Sequence, residues 1–290
     1  MNIIEVKNLK KYFGKIKAVD DISFSVKKGE IFGFLGPNGA GKTTTIRLFL
    51  DFIRPTSGQA FIKGLDCQKD SVEIKKYVGY LSGEIRLYDK WSGKEHIEFI
   101  ENTRGKSKIK KELIRKLDFN PKMRAKYLSS GNKQKLGLIL ALMHQPEVLI
   151  LDEPTLGLDP LLQNTIYEIL EDFRKQGTTV FMSSHNLPEV ERVCDRAGII
   201  KEGKIVGIET IEQLGEKRLR RIEVQFKDKY KKSDFKFNGV ENIEEIADGL
   251  ILTVRGDIDP VVKKLAKYKL HDLEISHATL EDVFLEFYQH

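Results

Sequence analysis

The sequence predicts an α/β fold: a mostly parallel sheet with an antiparallel β subdomain and a helical insert, followed by a small C-terminal α+β domain. Three observations carry that prediction. Apolar runs of strand length, such as Ile31–Leu35 and Val148–Leu151, alternate with amphipathic helical stretches, which is how a parallel sheet flanked by helices reads. Directly after Ile31–Leu35 comes Gly36-Pro37-Asn38-Gly39-Ala40-Gly41-Lys42-Thr43-Thr44, which fits the pattern G-x-x-x-x-G-K-[ST] at every fixed position. Beyond about Leu214 the composition turns to short alternating strands, so residues 1–215 and 216–290 are expected to be separate domains.

In chain order, residues 3–9 and 22–26 alternate apolar and polar and predict half-buried strands, with Tyr12-Phe13-Gly14 between them. The glycine-rich loop follows its strand and opens a helix expected over Thr44–Phe52. In that setting backbone N–H groups and the helix N-terminus can wrap phosphate oxygens, so the loop reads as a nucleoside triphosphate site. Lys42 would reach the β- and γ-phosphates, and the Thr43 hydroxyl would sit on Mg²⁺. Arg54–Gly58 is a turn, and 59–63 and 78–82 are strands. Ser92-Gly93-Lys94-Glu95 is a capping box for a helix to about Thr103, and 108–117 continues the helical pattern, so roughly 85–145 is a helical insert.

A helix begins at Ser130-Gly131 and runs to about His144; strand Val148–Leu151 then ends in Asp152-Glu153-Pro154. Helix Pro160–Lys175 is closed by Gly177 and followed by a buried strand, Thr178–Met182. Ser183-Ser184-His185 ends that strand ahead of a helix capped by Asn186 with Glu189. Ligands of such sheets bind at the carboxyl ends of the strands, which puts Gly36, Asp152 and His185 along one rim. In the second domain the expected elements are strands 221–226, 249–254 and 270–276, helix 258–267, and a last helix over 280–288 capped by Thr279 with Asp282.

Composition narrows the class. Forty per cent apolar content supports a real core, and no apolar run approaches the ~18 residues of a membrane span, Leu136–Leu151 being broken by His144-Gln145-Pro146-Glu147. The N-terminus carries no basic flank or cleavable hydrophobic segment, so a cytosolic protein is expected. Cys67 and Cys194 lack metal-ligand spacing and read as reduced bystanders. Lys and Arg exceed Asp and Glu by 49 to 43. The densest basic run, Lys106–Lys116, has no interleaved aromatics for base stacking and reads as a solvated helix face rather than a nucleic-acid site.

Asp152 and Glu153 are adjacent carboxylates at a strand end, where the first can hold Mg²⁺ through water and the second can orient or deprotonate an attacking water. His185 at a neighbouring strand end can donate to the γ-phosphate. Leu128-Ser129-Ser130-Gly131-Asn132 starts another helix with small polar residues, a second place for an anion.

Together these residues resemble the ATP-binding subunits of ABC (ATP-binding cassette) transporters over about residues 2–215, which makes the expected fold a P-loop NTPase cassette. Leu128–Asn132 stands where that family has its Leu-Ser-Gly-Gly-Gln signature, Gly157-Leu158-Asp159 resembles its D-loop, and His185 its switch histidine. Phe13 matches the adenine-stacking aromatic, with Tyr12 the runner-up. The chain departs from the family at Ser130 and Asn132, which replace Gly and Gln, and at Gly83, where the Q-loop glutamine belongs. Glu84 is then the nearest side chain able to act through Mg²⁺. The resemblance implies ATP and Mg²⁺ as ligands and a head-to-tail dimer, with a second copy or another ABC ATPase, in which Ser129, Ser130, Gly131, Asn132 and Asp159 of one chain help close the site of the other. It further implies an integral membrane permease as partner and a place on the cytoplasmic face of the membrane. Residues 278–286 look like the tail of ATPases that serve drug and antibiotic exporters. The alternative is a soluble ATPase of the same family acting on ribosomes or DNA, whose members carry two cassettes or a long coiled coil.

Overall fold

Ile31–Leu35, Val148–Asp152 and Thr179–Ser184 are buried at every position, as strands covered on both faces must be. They form the middle of the larger sheet. A computed structural model describes residues 1–216 and 219–277, and the chain divides into two units, Met1–Ile208 and Glu209–His290, somewhat earlier than the 215/216 boundary expected.

The elements up to the first long crossover are β1 (Asn2–Phe13), β2 (Ile16–Lys27), β3 (Ile31–Leu35), α1 (Lys42–Phe49), β4 (Ser57–Ile62), β5 (Leu65–Asp66), α2 (Ser71–Tyr77) and β6 (Val78–Leu81). The helical insert contributes α3 (Gly93–Arg104), α4 (Lys110–Lys116) and α5 (Ser130–Leu142). Then come β7 (Val148–Asp152), α6 (Pro160–Lys175), β8 (Thr179–Ser184), α7 (Leu187–Val193), β9 (Arg196–Lys201) and β10 (Lys204–Thr210).

Six strands form one sheet in the order β10-β9-β3-β8-β7-β6, with β3 parallel to β8 and β9, and β7 parallel to β6 and β8. A second sheet, β2-β1-β4-β5, is antiparallel. The two share an aromatic core: the Phe24 ring of β2 lies 5.7 Å from Phe32, 5.4 Å from Phe34 and 6.1 Å from Phe181, at near-parallel or offset angles that suit ring quadrupoles. Because β3, β8 and β7 are neighbours, their carboxyl ends carry Gly36, His185 and Asp152-Glu153 side by side, as expected.

The capping box at α3 is present: Ser92 N–H donates to Glu95 Oε2 at 2.6 Å and Glu95 N–H to Ser92 Oγ at 3.3 Å. The cap expected at α7 is not. The Asn186 side chain makes no capping bond, the Asn186 N–H donates to Ser184 Oγ at 2.9 Å, and Glu189 turns into the interior. Elements of this unit without a sequence signal were the two-residue β5, α2, which buries only Ile74, and the pair β9 and β10.

The second unit holds α8 (Ile211–Glu216), β11 (Leu219–Phe226), β12 (Val240–Ile246), β13 (Gly249–Arg255), α9 (Asp259–Leu265) and β14 (Leu270–His277). Its sheet, β12-β13-β11-β14, is antiparallel throughout, and its own core gathers Ile222, Val224, Phe235, Leu252 and Leu265. The α+β reading of this region holds for the described part; the helix expected over 280–288 and its Thr279–Asp282 cap lie outside the described residues.

Candidate active site

The glycine-rich loop is held by its neighbours before it meets any ligand. Gly36 N–H donates to Ser184 O at 3.1 Å, and Gly203 N–H donates to Ala40 O at 3.0 Å. Two glycines are required outright. A Cβ on Gly36 would stand 2.3 Å from Ile200 O, and one on Gly41, whose φ is 110°, would stand 2.3 Å from Ala18 O. Asn38, Gly39, Gly41, Lys42, Thr43 and Thr44 line one wall of a cleft of about 700 Å³, within the range of small-molecule sites. Helix α1 opens at Lys42, so its positive end faces that wall.

The acting side chains converge at the end of the cleft. Lys42 Nζ, 6% exposed, donates to Gly36 O at 2.7 Å and Pro37 O at 3.1 Å and lies 3.1 Å from Glu153 Oε1. Glu153 Oε2 lies 2.8 Å from His185 Nδ1. Glu153 Oε1 is buried without a hydrogen bond of good geometry, which leaves an acceptor open toward Lys42. The Glu153 backbone is left-handed, φ 51°, a conformation costing about 1–3 kcal/mol for such a residue. Its N–H holds it there by donating to Ser183 Oγ at 3.0 Å.

Asp152, 3% exposed, accepts from Thr43 Oγ1 at 2.8 Å and from Ser183 Oγ at 2.6 Å. Among the described residues no cluster of three or more His, Cys, Asp or Glu could form an all-protein metal cage. A hydroxyl and one carboxylate beside a phosphate loop instead fit Mg²⁺, which takes one or two protein oxygens alongside water and phosphate.

Other expected residues lie elsewhere. Ser129 caps α5, its Oγ accepting from Asn132 N at 3.3 Å and Asn132 Nδ2 at 3.2 Å. Asp159 caps α6 by accepting from Leu161 N at 3.1 Å and Leu162 N at 3.0 Å. Neither these nor Ser130 and Gly131 line the phosphate-loop cleft of their own chain. Phe13, 48% exposed, ends β1 opposite Ile16, which does line the cleft. Tyr12, the runner-up, is engaged otherwise: its hydroxyl donates to Asp20 Oδ1 and holds that carboxyl below the usual range.

Glu84 is corrected. Its side chain is 76% exposed and pairs with Arg86 at 3.0 Å, while Gly83 is the residue whose missing Cβ would face Asp152 Oδ2 at 3.5 Å. Gly83 and Glu84 lie in a bend beyond the end of β6, and the Glu84 side chain points to solvent. Reasoning from sequence also missed the far wall of the cleft, made by Lys15, Ile16, Lys17, Asp20, Glu202 and Lys204. The Gly14-Lys15 turn between β1 and β2 was the available signal.

A family model described as ABC transporter matches residues 19–156. The bacitracin transport ATP-binding protein BcrA of Bacillus licheniformis is 39% identical over 234 residues, covering 79% of this chain and 76% of that protein. The chain belongs to the ABC transporter family. Another relative, the probable multidrug ABC transporter ATP-binding protein YbhF of Escherichia coli (strain K12), is 37% identical over 219 residues; the match covers 73% of this chain but spans only 38% of YbhF. Among solved structures, the dimeric post-hydrolysis state of the ATP-binding cassette MJ0796 bound to ADP and Pi superposes with a TM-score of 0.66 at 22% identity, over 72% of this chain and 98% of that one. The cassette fold is therefore common to both, with the phosphate loop, Asp152-Glu153 and His185 as this ABC family member's own rim.

Proposed function

We propose that this chain hydrolyses ATP with Mg²⁺ as the nucleotide-binding subunit of an ABC transporter, driving a separate membrane permease in the export direction. The observation that carries the reading is the Glu153 carboxylate, held between Lys42 Nζ at 3.1 Å and His185 Nδ1 at 2.8 Å at the end of the phosphate-loop cleft. Phosphate oxygens compete with Glu153 for the Lys42 ammonium, so binding the triphosphate frees the carboxylate to take a proton from water. His185 donates to the γ-phosphate, and Thr43 with Asp152 holds Mg²⁺, which when bound neutralises charge on the β- and γ-oxygens. Phe13 stacks on the adenine from the end of β1.

The signature residues Ser129–Asn132 stand at a helix N-terminus outside this chain's own cleft. They are assigned to the cleft of a second cassette, a copy of this chain or another ABC ATPase, and the dimeric form of MJ0796 supports that assembly. Export is supported by the relatives named for multidrug and bacitracin transport. Among the described residues no helix is long and apolar enough to cross a membrane, and the transmembrane path is assigned to the permease, with the cassette on its cytoplasmic face. The 216–290 region is proposed as an accessory domain for dimer support and regulation.

The test is phosphate release by the purified protein. Release should require Mg²⁺, and Lys42→Ala should weaken nucleotide binding by about tenfold or more, since it removes a charge-assisted phosphate contact. Release that survives removal of divalent cations, or is unchanged in Lys42→Ala, contradicts the reading.

A further inference from the structure

Glu189 is a carboxyl group in an unexpected place. It lies on the first turn of α7, is 4% exposed, and bridges two buried hydroxyls: Thr155 Oγ1 donates to its Oε1, and Ser184 Oγ donates to its Oε2 at 2.5 Å. Thr155 is two residues after Glu153, and Ser184 is one residue before His185. Glu153 and His185 in turn meet through Oε2 and Nδ1 at 2.8 Å. The contacts therefore close a ring, from Glu153 through Thr155, Glu189 and Ser184 to His185 and back.

The rest of this corner is already fixed from other directions. Gln134 of α5, itself buried, donates from Nε2 to Pro154 O at 2.6 Å, and Glu153 N–H is tied to Ser183. Beside the direct Glu153–His185 contact and the Ser183 tie, Glu189 joins the two loops from beneath, through Thr155 and Ser184. Burying a carboxyl costs free energy that an apolar residue at this position would not incur, and two hydroxyl donors only partly offset it. Burial pushes the Glu189 carboxyl up, Ser184 and Thr155 pull it down, and the facing charges are Glu153, which raises it, and His185, which lowers it. Tyr167 of α6 packs against the same carboxyl, with its phenol pushed up to about 12 by burial and then by the charge on Glu189, and Arg192 lies over the Tyr167 ring.

We propose that Glu189 is a positioning residue of the hydrolytic centre, clamping Thr155 to Ser184 so that the Glu153 carboxylate and the His185 imidazole hold their mutual geometry. It touches no reacting atom, and the proposal rests on the hydrolytic reading of the site. A glutamine at this position keeps the shape but has one carbonyl oxygen to accept two donors, so the clamp loosens without emptying the space.

The experiment measures steady-state ATP hydrolysis, nucleotide affinity and thermal stability for wild type, Glu189→Gln, Thr155→Val and Ser184→Ala, and repeats Glu189→Gln in a His185→Ala background. The expected result is a fall in kcat of about tenfold or more in Glu189→Gln, with KM and nucleotide Kd within about threefold, because positioning acts on the transition state more than on binding. Glu189→Gln with Thr155→Val should lose little beyond either alone, and Glu189→Gln should cost nothing further once His185 is alanine, as members of one network are non-additive. Should Glu189→Gln fail to fold, Ser184→Ala removes one donor and decides by the same split. An unchanged kcat in folded Glu189→Gln, or a loss that adds in full to that of His185→Ala, overturns the proposal. Wild type that does not hydrolyse ATP overturns the functional reading instead, so the two failures are distinguishable.

Discussion

At Glu153 the chain holds a left-handed backbone in a residue type that seldom adopts one, and Ser183 and Lys42 hold it there. The same economy appears at Gly41, where a side chain would meet Ala18 O and the φ of 110° is unfavourable to any L-residue. Gly41→Ala should therefore destabilise the protein by roughly 1–3 kcal/mol and displace the loop enough to lose ATP binding, read by a thermal melt and a nucleotide titration. Binding unchanged from wild type would show that the loop tolerates the displacement. Glu84→Ala, by contrast, removes an exposed ion pair and should leave hydrolysis within about twofold, because exposed pairs are worth little. That Lys42, Thr43, Asp152, Glu153 and His185 come together was legible in the sequence, since each sits at a fixed offset from a strand end. Glu189 was misread because spacing along the chain says how near a side chain is, while its direction depends on the backbone around it. Glu189 matched a capping box, but Ser184 had already taken the Asn186 N–H.

Among the elements, the buried strands and the capped helices were the readable ones. Pro160–Lys175 came out with the expected bounds, having Asp159 at its start and Gly177 after its end. α2 escaped because one buried residue makes no stripe, and β1 and β2 run longer than their alternation because bulges between Val6 and Leu9 and between Leu9 and Lys11 interrupt it. His144, just past α5, provides a test of packing at this scale. Burial, and then the charge of Arg104, lower its pKa to about 4, so the folded protein keeps it neutral. The unfolded chain binds a proton there below about pH 6.5, so the stability that neutral His144 contributes is present above that pH and lost as pH falls toward 4. Urea midpoints at pH 7 and pH 5 should fall further in wild type than in His144→Gln, and parallel curves would contradict the assignment.

For the molecule as a whole, the phosphate loop, Asp152-Glu153, His185 and both walls of the cleft belong to Met1–Ile208, so the site is proposed not to need the second unit for nucleotide binding. Deleting 209–290 should leave nucleotide affinity within about threefold if the shortened protein retains its circular dichroism spectrum, since no group that meets phosphate is removed; loss of binding in a folded product would refute this. The central claim is that Glu153 is the base of an ATP hydrolysis completed by a second cassette. Its most direct measurement is phosphate release by Glu153→Gln beside wild type, with ATP binding and molecular mass recorded on the same samples. Hydrolysis should fall on the order of 10²-fold or more while ATP affinity is kept, because the amide preserves shape and cannot accept the proton, and the variant should accumulate as an ATP-bound dimer. Wild-type turnover by Glu153→Gln would contradict the account.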